Sequence, residues 1–335
     1  MTLASTAVLD IAVMTIFDTG ATLKLESDRT FSHTFVMGGQ THLYLQQHDF
    51  TLTGPDTIGG AVHDGTLTVN GSGSANALTI TDDAIVEINT AITAQDGFGD
   101  WLNIGTGSAN DNNLKAGTLS VNAGGTWDMV GSYGATLSDL GILDIAGTFK
   151  RSVAGESVVS GGTIDSTGTI EAQLAGSIIT FSGGTGNLGG HITGAGTVKF
   201  GGDYTLGSGV SIDVATIAMV NTGSSLTLGG DVTYAGVFQG GATSTIDLAS
   251  HSLTLSGSAD LTGTLSNGSA ALTGTATASG LSLSDAELTV GGTVTEQDGF
   301  FNTFRIGTGT AQDGNLTAGT LSIGAAGTWN IIAGY

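Results

Sequence analysis

Short runs of alternating apolar and polar residues, broken by glycine-containing turns, recur along the whole chain. Thr66-Leu67-Thr68-Val69, Leu78-Thr79-Ile80-Thr81, Val86-Glu87-Ile88, Thr118-Leu119-Ser120-Val121, Thr197-Val198-Lys199-Phe200 and Leu253-Thr254-Leu255 are examples. Each has period two, with Leu, Ile, Val or Phe on one side and Thr, Ser, Glu or Lys on the other, which predicts short strands with one buried face. Gly38-Gly39, Asn70-Gly71, Gly161-Gly162 and Asn267-Gly268 mark turns between them. No stretch of 12 residues carries an apolar period of 3.6, so helix content is predicted to be close to nil.

The chain also repeats itself at long range. Ile92–Tyr133 returns as Val294–Tyr335 at an offset of 202 residues without a gap, with 23 of 42 positions identical. Leu3–Val13 and Phe17–Leu25 answer Leu206–Thr216 and Val220–Leu228 at an offset of 203, and His48–Leu52 answers His251–Leu255. One deletion accounts for the change. The sequence thus reads as one super-repeat, 1–205, and a truncated second copy, 206–335. An array that stops inside its unit is expected to be a piece of a longer protein. The apolar opening Leu3–Phe17 is read as repeat structure and not as an export signal, because it carries Asp10 and has an internal copy. A signal is expected outside the given sequence.

Many short strands suit a sandwich, a barrel or a solenoid. Very short strands, a beat that continues over 335 residues and an unpatterned linker nowhere between the copies favour the last. The expected fold is all-β, a parallel β-helix (β-solenoid) of about 20 residues per coil, continuous over 1–335. One coil cannot bury its own Leu/Ile/Val row; stacked coils share a continuous apolar column.

Composition sharpens this reading. There are 57 glycines, one proline (Pro55) and no cysteine. The scarcity of proline suits a backbone bonded to neighbours on both sides. Seven Lys and Arg stand against 29 Asp and Glu, a formal charge of −22. A polyanion such as nucleic acid is repelled by that balance, so no nucleic-acid partner is expected. No apolar run approaches the roughly 20 residues that span a bilayer, and no membrane insertion of this segment is expected.

The run Ile192–Leu206, ITGAGTVKFGGDYTL, resembles the glycine-rich strand repeats of autotransporter passenger regions and related large exoprotein adhesins. Gly117–Val121 and Gly319–Ile323, each followed by small residues and Thr-Trp, are similar. The resemblance implies a right-handed parallel β-helix at a bacterial surface, extracellular, with a scaffold or adhesive role. No anchoring barrel and no passenger-processing site accompany it in this sequence.

Candidate chemistry is sparse. Six histidines are present, and His42-x5-His48 has the look of a metal pair. The internal copy argues against it: His42 aligns with Thr245, and His48 alone keeps a partner, His251. Solvent-facing or turn histidines are the expected reading. Asp96, Asp111 and Asn113 recur as Asp298, Asp313 and Asn315. Their oxygens suit part of a calcium shell, although Asp-Gly and Asp-x-Asn also make turns by local hydrogen bonding, which is the reading the residues favour. No other cofactor is expected. Asp82-Asp83, read as adjacent strand residues, would face opposite ways and share no site. Lys150-Arg151, the one basic pair, is expected to decorate a turn. Trp127 and Trp329, Phe98 and Phe300, and Tyr133 and Tyr335 match between copies and read as core fillers. No nucleophile elbow, phosphate loop or zinc spacing occurs, so no catalytic residue is assigned and no enzyme is expected.

The function expected is therefore a structural or adhesive stalk segment of a giant repetitive surface or secreted protein. Its partners would be neighbouring repeats and the glycans or proteins of a host or matrix surface. The alternative is a carbohydrate-binding or polysaccharide-degrading β-helix.

Overall fold

The computed structural model describes residues 1–95, 101–106, 115–131, 134–220, 223–296, 303–307 and 317–331. They form a β-solenoid of about 13 turns, ~21 residues per turn, with no helix. The described residues group into two compact units, 1–179 and 180–335.

In the first unit each turn contributes strands to three parallel ladders. One ladder runs through Val13–Ile16, Thr34–Met37, the starts of Asp56–Val69 and Gly73–Thr81, then Ala91–Ala94, Thr126–Met129, Thr148–Arg151 and Thr169–Ala172. A second joins Thr22–Leu25 to the start of His42–Leu52, then to residues 61–63 and 79–81, Leu102–Ile104 and Ala135–Leu137. The third joins Arg29–Phe31, residues 48–52 and 66–69, Ala84–Ile88, Gly117–Val121 and Gly141–Ile145. The second unit repeats the scheme, for example through Asp203–Leu206, Ser225–Leu228 and Thr245–Asp247.

The alternation read from the sequence becomes an inside and an outside. Leu23, Leu43, Val62, Ile80, Ile104 and Leu137 lie in register on successive turns and are all buried. Phe31, Leu52, Val69, Ile88, Val121 and Ile145 form a second such column, and Trp127, Phe149 and Ile170 are consecutive members of a third. Each such side chain contributes about 1.5–3 kcal/mol by leaving water. Asparagine caps one corner: Asn89 donates to Asn70 at 2.9 Å and Asn122 to Asn89 at 2.9 Å.

Backbone conformation repeats with the sequence. Asp64 and Asp82 adopt left-handed φ values of 54° and 56°, and 203 residues on Asn267 and Asp285 have 58° and 51°. Gly60 and Gly263, also 203 apart, turn left-handed at 65° and 84°. A side chain at either would strike the carbonyl of Thr41 or Ser244, so both conformation and space require glycine there.

Three sequence expectations change at this level. Asp82-Asp83 is not strand but a left-handed corner (φ 56° and 63°), which lets the two side chains diverge from strand alternation. Arg151 closes the strand Thr148–Arg151 and is only 3% exposed, with its guanidinium spent on chain carbonyls. His63 is likewise buried, not solvent-facing. Trp127 is buried as expected, whereas its match Trp329 is only half-buried and its indole N–H donates to Glu296 at 2.6 Å; Phe98, Tyr133, Phe300 and Tyr335 lie outside the described residues.

Candidate functional site

A polar cluster of the first unit sits on the outer side of the second ladder, where it meets the corner at Asp82. Lys24, Tyr44, His63 and Thr81 occupy equivalent positions on successive turns. Strand alternation aims all four outward, so they form a stack. The Tyr44 and His63 rings lie parallel, 4.3 Å apart at 11°, and Lys24 Nζ sits 5.6 Å from the centre of the Tyr44 ring. This cover leaves His63 only 9% exposed.

Both His63 nitrogens are engaged. Nδ1 lies 2.6 Å from Asp82 Oδ2, and Nε2 lies 3.0 Å from Nδ1 of His42. The left-handed corner turns the Asp82 carboxylate back toward His63, and its other oxygen pairs with the Lys115 ammonium. Lys115 is held there by an isolated antiparallel bridge to Thr106, whose hydroxyl meets that of Thr81 at 2.7 Å. Burial works against the Asp82 charge, but hydrogen bonds and charge from Lys115 and His63 outweigh it and hold the carboxyl below its usual range. Lys115 responds in the opposite sense, its ammonium stabilised by the hydrogen bond to Asp82.

The resulting chain, Lys115–Asp82–His63–His42, joins residues of four turns. An aspartate that orients a histidine also serves catalysis, but here the outer nitrogen of His63 is filled by His42 and by no nucleophile. Among the described residues no group of three or more His, Asp or Glu is placed to hold a metal. The chemistry the arrangement offers is the holding and sharing of a proton.

The cluster belongs to one copy only. Thr245, Asp247, Ser266 and Thr317 stand where His42, Tyr44, His63 and Lys115 are, and the single Asp285 stands for the Asp82-Asp83 pair. Asp247 there accepts from Asn267 at 3.0 Å, and Asp285 from the Ala318 amide at 2.8 Å. The His42 and His48 side chains face different partners: His48 lies 3.3 Å from Asp28. The signal that pairs His42 with His63 was present in the sequence as a spacing of 21 residues, one turn of the solenoid. The calcium candidates Asp96, Asp111, Asn113, Asp298, Asp313 and Asn315 all lie outside the described residues.

Two buried charges lie apart from the cluster. Asp56 is 4% exposed, accepts the Phe35 amide at 3.3 Å and leaves Oδ2 without a partner. Burial raises its carboxyl to about 7, against the lowering effect of the Phe35 hydrogen bond. Arg151 donates to the carbonyls of Gly155, Gly131, Met129 and Ala154 and to the Ser157 hydroxyl.

Further along the second ladder a depression of about 210 Å³ is lined by Trp101, Gly134, Thr136, Val158 and Ser160. Trp101 is 45% exposed. A neighbouring depression of about 420 Å³ shares Thr136 and adds Asn103, Thr106, Ser138 and Asp139.

No family model matches this chain, and comparison with curated proteins and with solved structures returns no match.

Proposed function

We propose that this chain is a non-catalytic structural segment, a stalk or adhesive scaffold of a repetitive protein exposed at a bacterial surface or secreted from the cell. The observation that carries the reading is the set of buried columns in register from turn to turn. Such columns tie each turn to its neighbours and give cohesion along the direction of stacking. The outer positions, mostly Thr, Ser, Asp and Asn, supply solubility and a surface for contacts. Pulling single molecules from both ends tests the reading. A load-bearing segment yields in discrete steps of one or a few turns at forces well above those that stretch a flexible chain. Featureless extension would remove it.

One observation favours a second reading, a carbohydrate-binding β-helix. The Trp101 depression joins an exposed indole to threonine, serine and asparagine groups, the composition that stacks and hydrogen-bonds a neutral sugar. A glycan array probed with the parent and with Trp101→Ala separates the two. Binding that the substitution removes supports the second reading, and a blank array removes it.

A further inference from the structure

The two imidazoles of the cluster meet head to head. Their ring centres are 5.3 Å apart with His42 Nδ1 and His63 Nε2 at 3.0 Å. That separation equals the nitrogen–nitrogen distance plus the two centre-to-nitrogen radii, so the nitrogen axes are collinear. Collinear nitrogens make a linear N–H···N hydrogen bond; a chelated metal would need them to converge at an angle.

The proton positions follow by elimination. Asp82 is ionised and accepts, so His63 carries its proton on Nδ1. His63 Nε2 is then an acceptor, and His42 must donate from Nδ1. The remaining nitrogen, His42 Nε2, is bare. A first added proton goes to that bare nitrogen and breaks no bond. A second has to enter the contact between His42 Nδ1 and His63 Nε2, where an N–H would face an N–H whichever ring holds the bridging proton. It would also place a second positive charge beside the first.

The groups that face the pair are Lys24 of the strand Thr22–Leu25, Tyr44 of His42–Leu52, the Asp82 carboxylate and, through Asp82, Lys115; Asp64 and Asp83 occupy the same corner. Lys24 and Lys115 oppose the second charge, and Asp82 is already shared between Lys115 and His63.

We propose that His42, His63 and Asp82 form a two-stage proton latch between neighbouring turns, which takes up one proton unchanged and opens on the second. Opening separates the outer edge of the turn at His42 from that at His63 while the apolar columns beneath stay intact. The latch belongs to the first copy alone, so acid loosens one place in the repeat and leaves its counterpart at Thr245 and Ser266 closed.

Nitrogen-15 imidazole spectra of the full chain across pH 8 to 4 test this, with amide exchange read in parallel. At pH 8 both histidines are expected as the Nδ1–H form. On acidification the pair is expected to gain one proton with the N–H···N bond kept, and exchange at residues 42–44 and 61–63 stays slow. When both rings are doubly protonated, protection there falls about three- to tenfold, the loss of one hydrogen bond. The variant His42→Gln keeps a donor that cannot be protonated, and its protection is expected to persist to lower pH. Loss of protection on uptake of the first proton, or an acid response in His42→Gln equal to that of the parent, overturns the proposal.

Discussion

The imidazole of His48 lies 3.3 Å from the carboxylate of Asp28, which also accepts the Asp49 amide at 3.1 Å. The same arrangement returns 203 residues later, with His251 3.8 Å from Asp231 and the Ser252 amide donating to Asp231 at 2.9 Å. One histidine pairing is therefore part of the repeat, and the His42–His63 pairing is not. A carboxylate one turn away takes up the amide of the residue after the histidine, and the histidine sits over it. Hydrogen bonding from the Ser252 amide lowers the Asp231 carboxyl from its usual range.

Asp28→Ala and Asp231→Ala are expected to act alike, each speeding amide exchange at the residue whose N–H it releases, Asp49 or Ser252. Asparagine at either site keeps an acceptor and should restore slow exchange. Unequal behaviour of the two sites would show that the recurring geometry is not a shared device.

Stability should fall as pH rises from about 4 toward 7 because of Asp56. Its carboxyl is about 7 when folded against an ordinary 3.8. A group raised on folding contributes stability that is whole below the unfolded value and is lost as pH climbs through the folded one. The gap corresponds to about 4 kcal/mol between pH 4 and pH 8. Asp56→Asn should match the parent at pH 4 and exceed it at pH 8 in urea unfolding. Equal curves at both pH values would refute this account of Asp56.

Inner and outer neighbours on one strand should differ sharply. Phe149 is fully buried between Trp127 and Ile170, whereas the adjacent Lys150 points outward, 3.7 Å from Asp128. Phe149→Ala is expected to cost about 3–5 kcal/mol. Lys150→Ala should cost less than about 1 kcal/mol, as for a surface pair. Comparable losses in chemical denaturation would contradict the inside–outside assignment.

Arg151 should resist conservative replacement. Its planar fork reaches five acceptors around residues 129–157, and a lysine ammonium cannot span them. Arg151→Lys is expected to lower stability by about 2 kcal/mol or more, since buried carbonyls lose their donors. A melting curve unchanged from the parent would show that the segment 152–157 closes without it.

Much of the fold was legible because strand alternation is a local property. Leu67 and Val69 flank Thr68, and any pairing that buries one buries the other. The glycine-rich turns and the repeat then fixed stacking as the way to bury that face. The site was less legible. His42 and His63 look unrelated until the turn length is known to be ~21 residues, which brings positions 21 apart close together. Arg151 and Asp82 misled for a related reason: their sequence neighbours predict exposure and strand geometry, while the neighbours that decide their environment lie on other turns.

The sequence by itself determined the all-β class, the parallel stacking and which side of each strand faces inward, since alternation with period two and internal repetition leave few other ways to remove the apolar rows from water. Tertiary structure alone decided which polar side chains meet. The left-handed corner at Asp82 and the one-turn step from His42 to His63 set distances that depend on register between turns. A register is a property of neighbouring turns together, and no stretch of chain carries it alone.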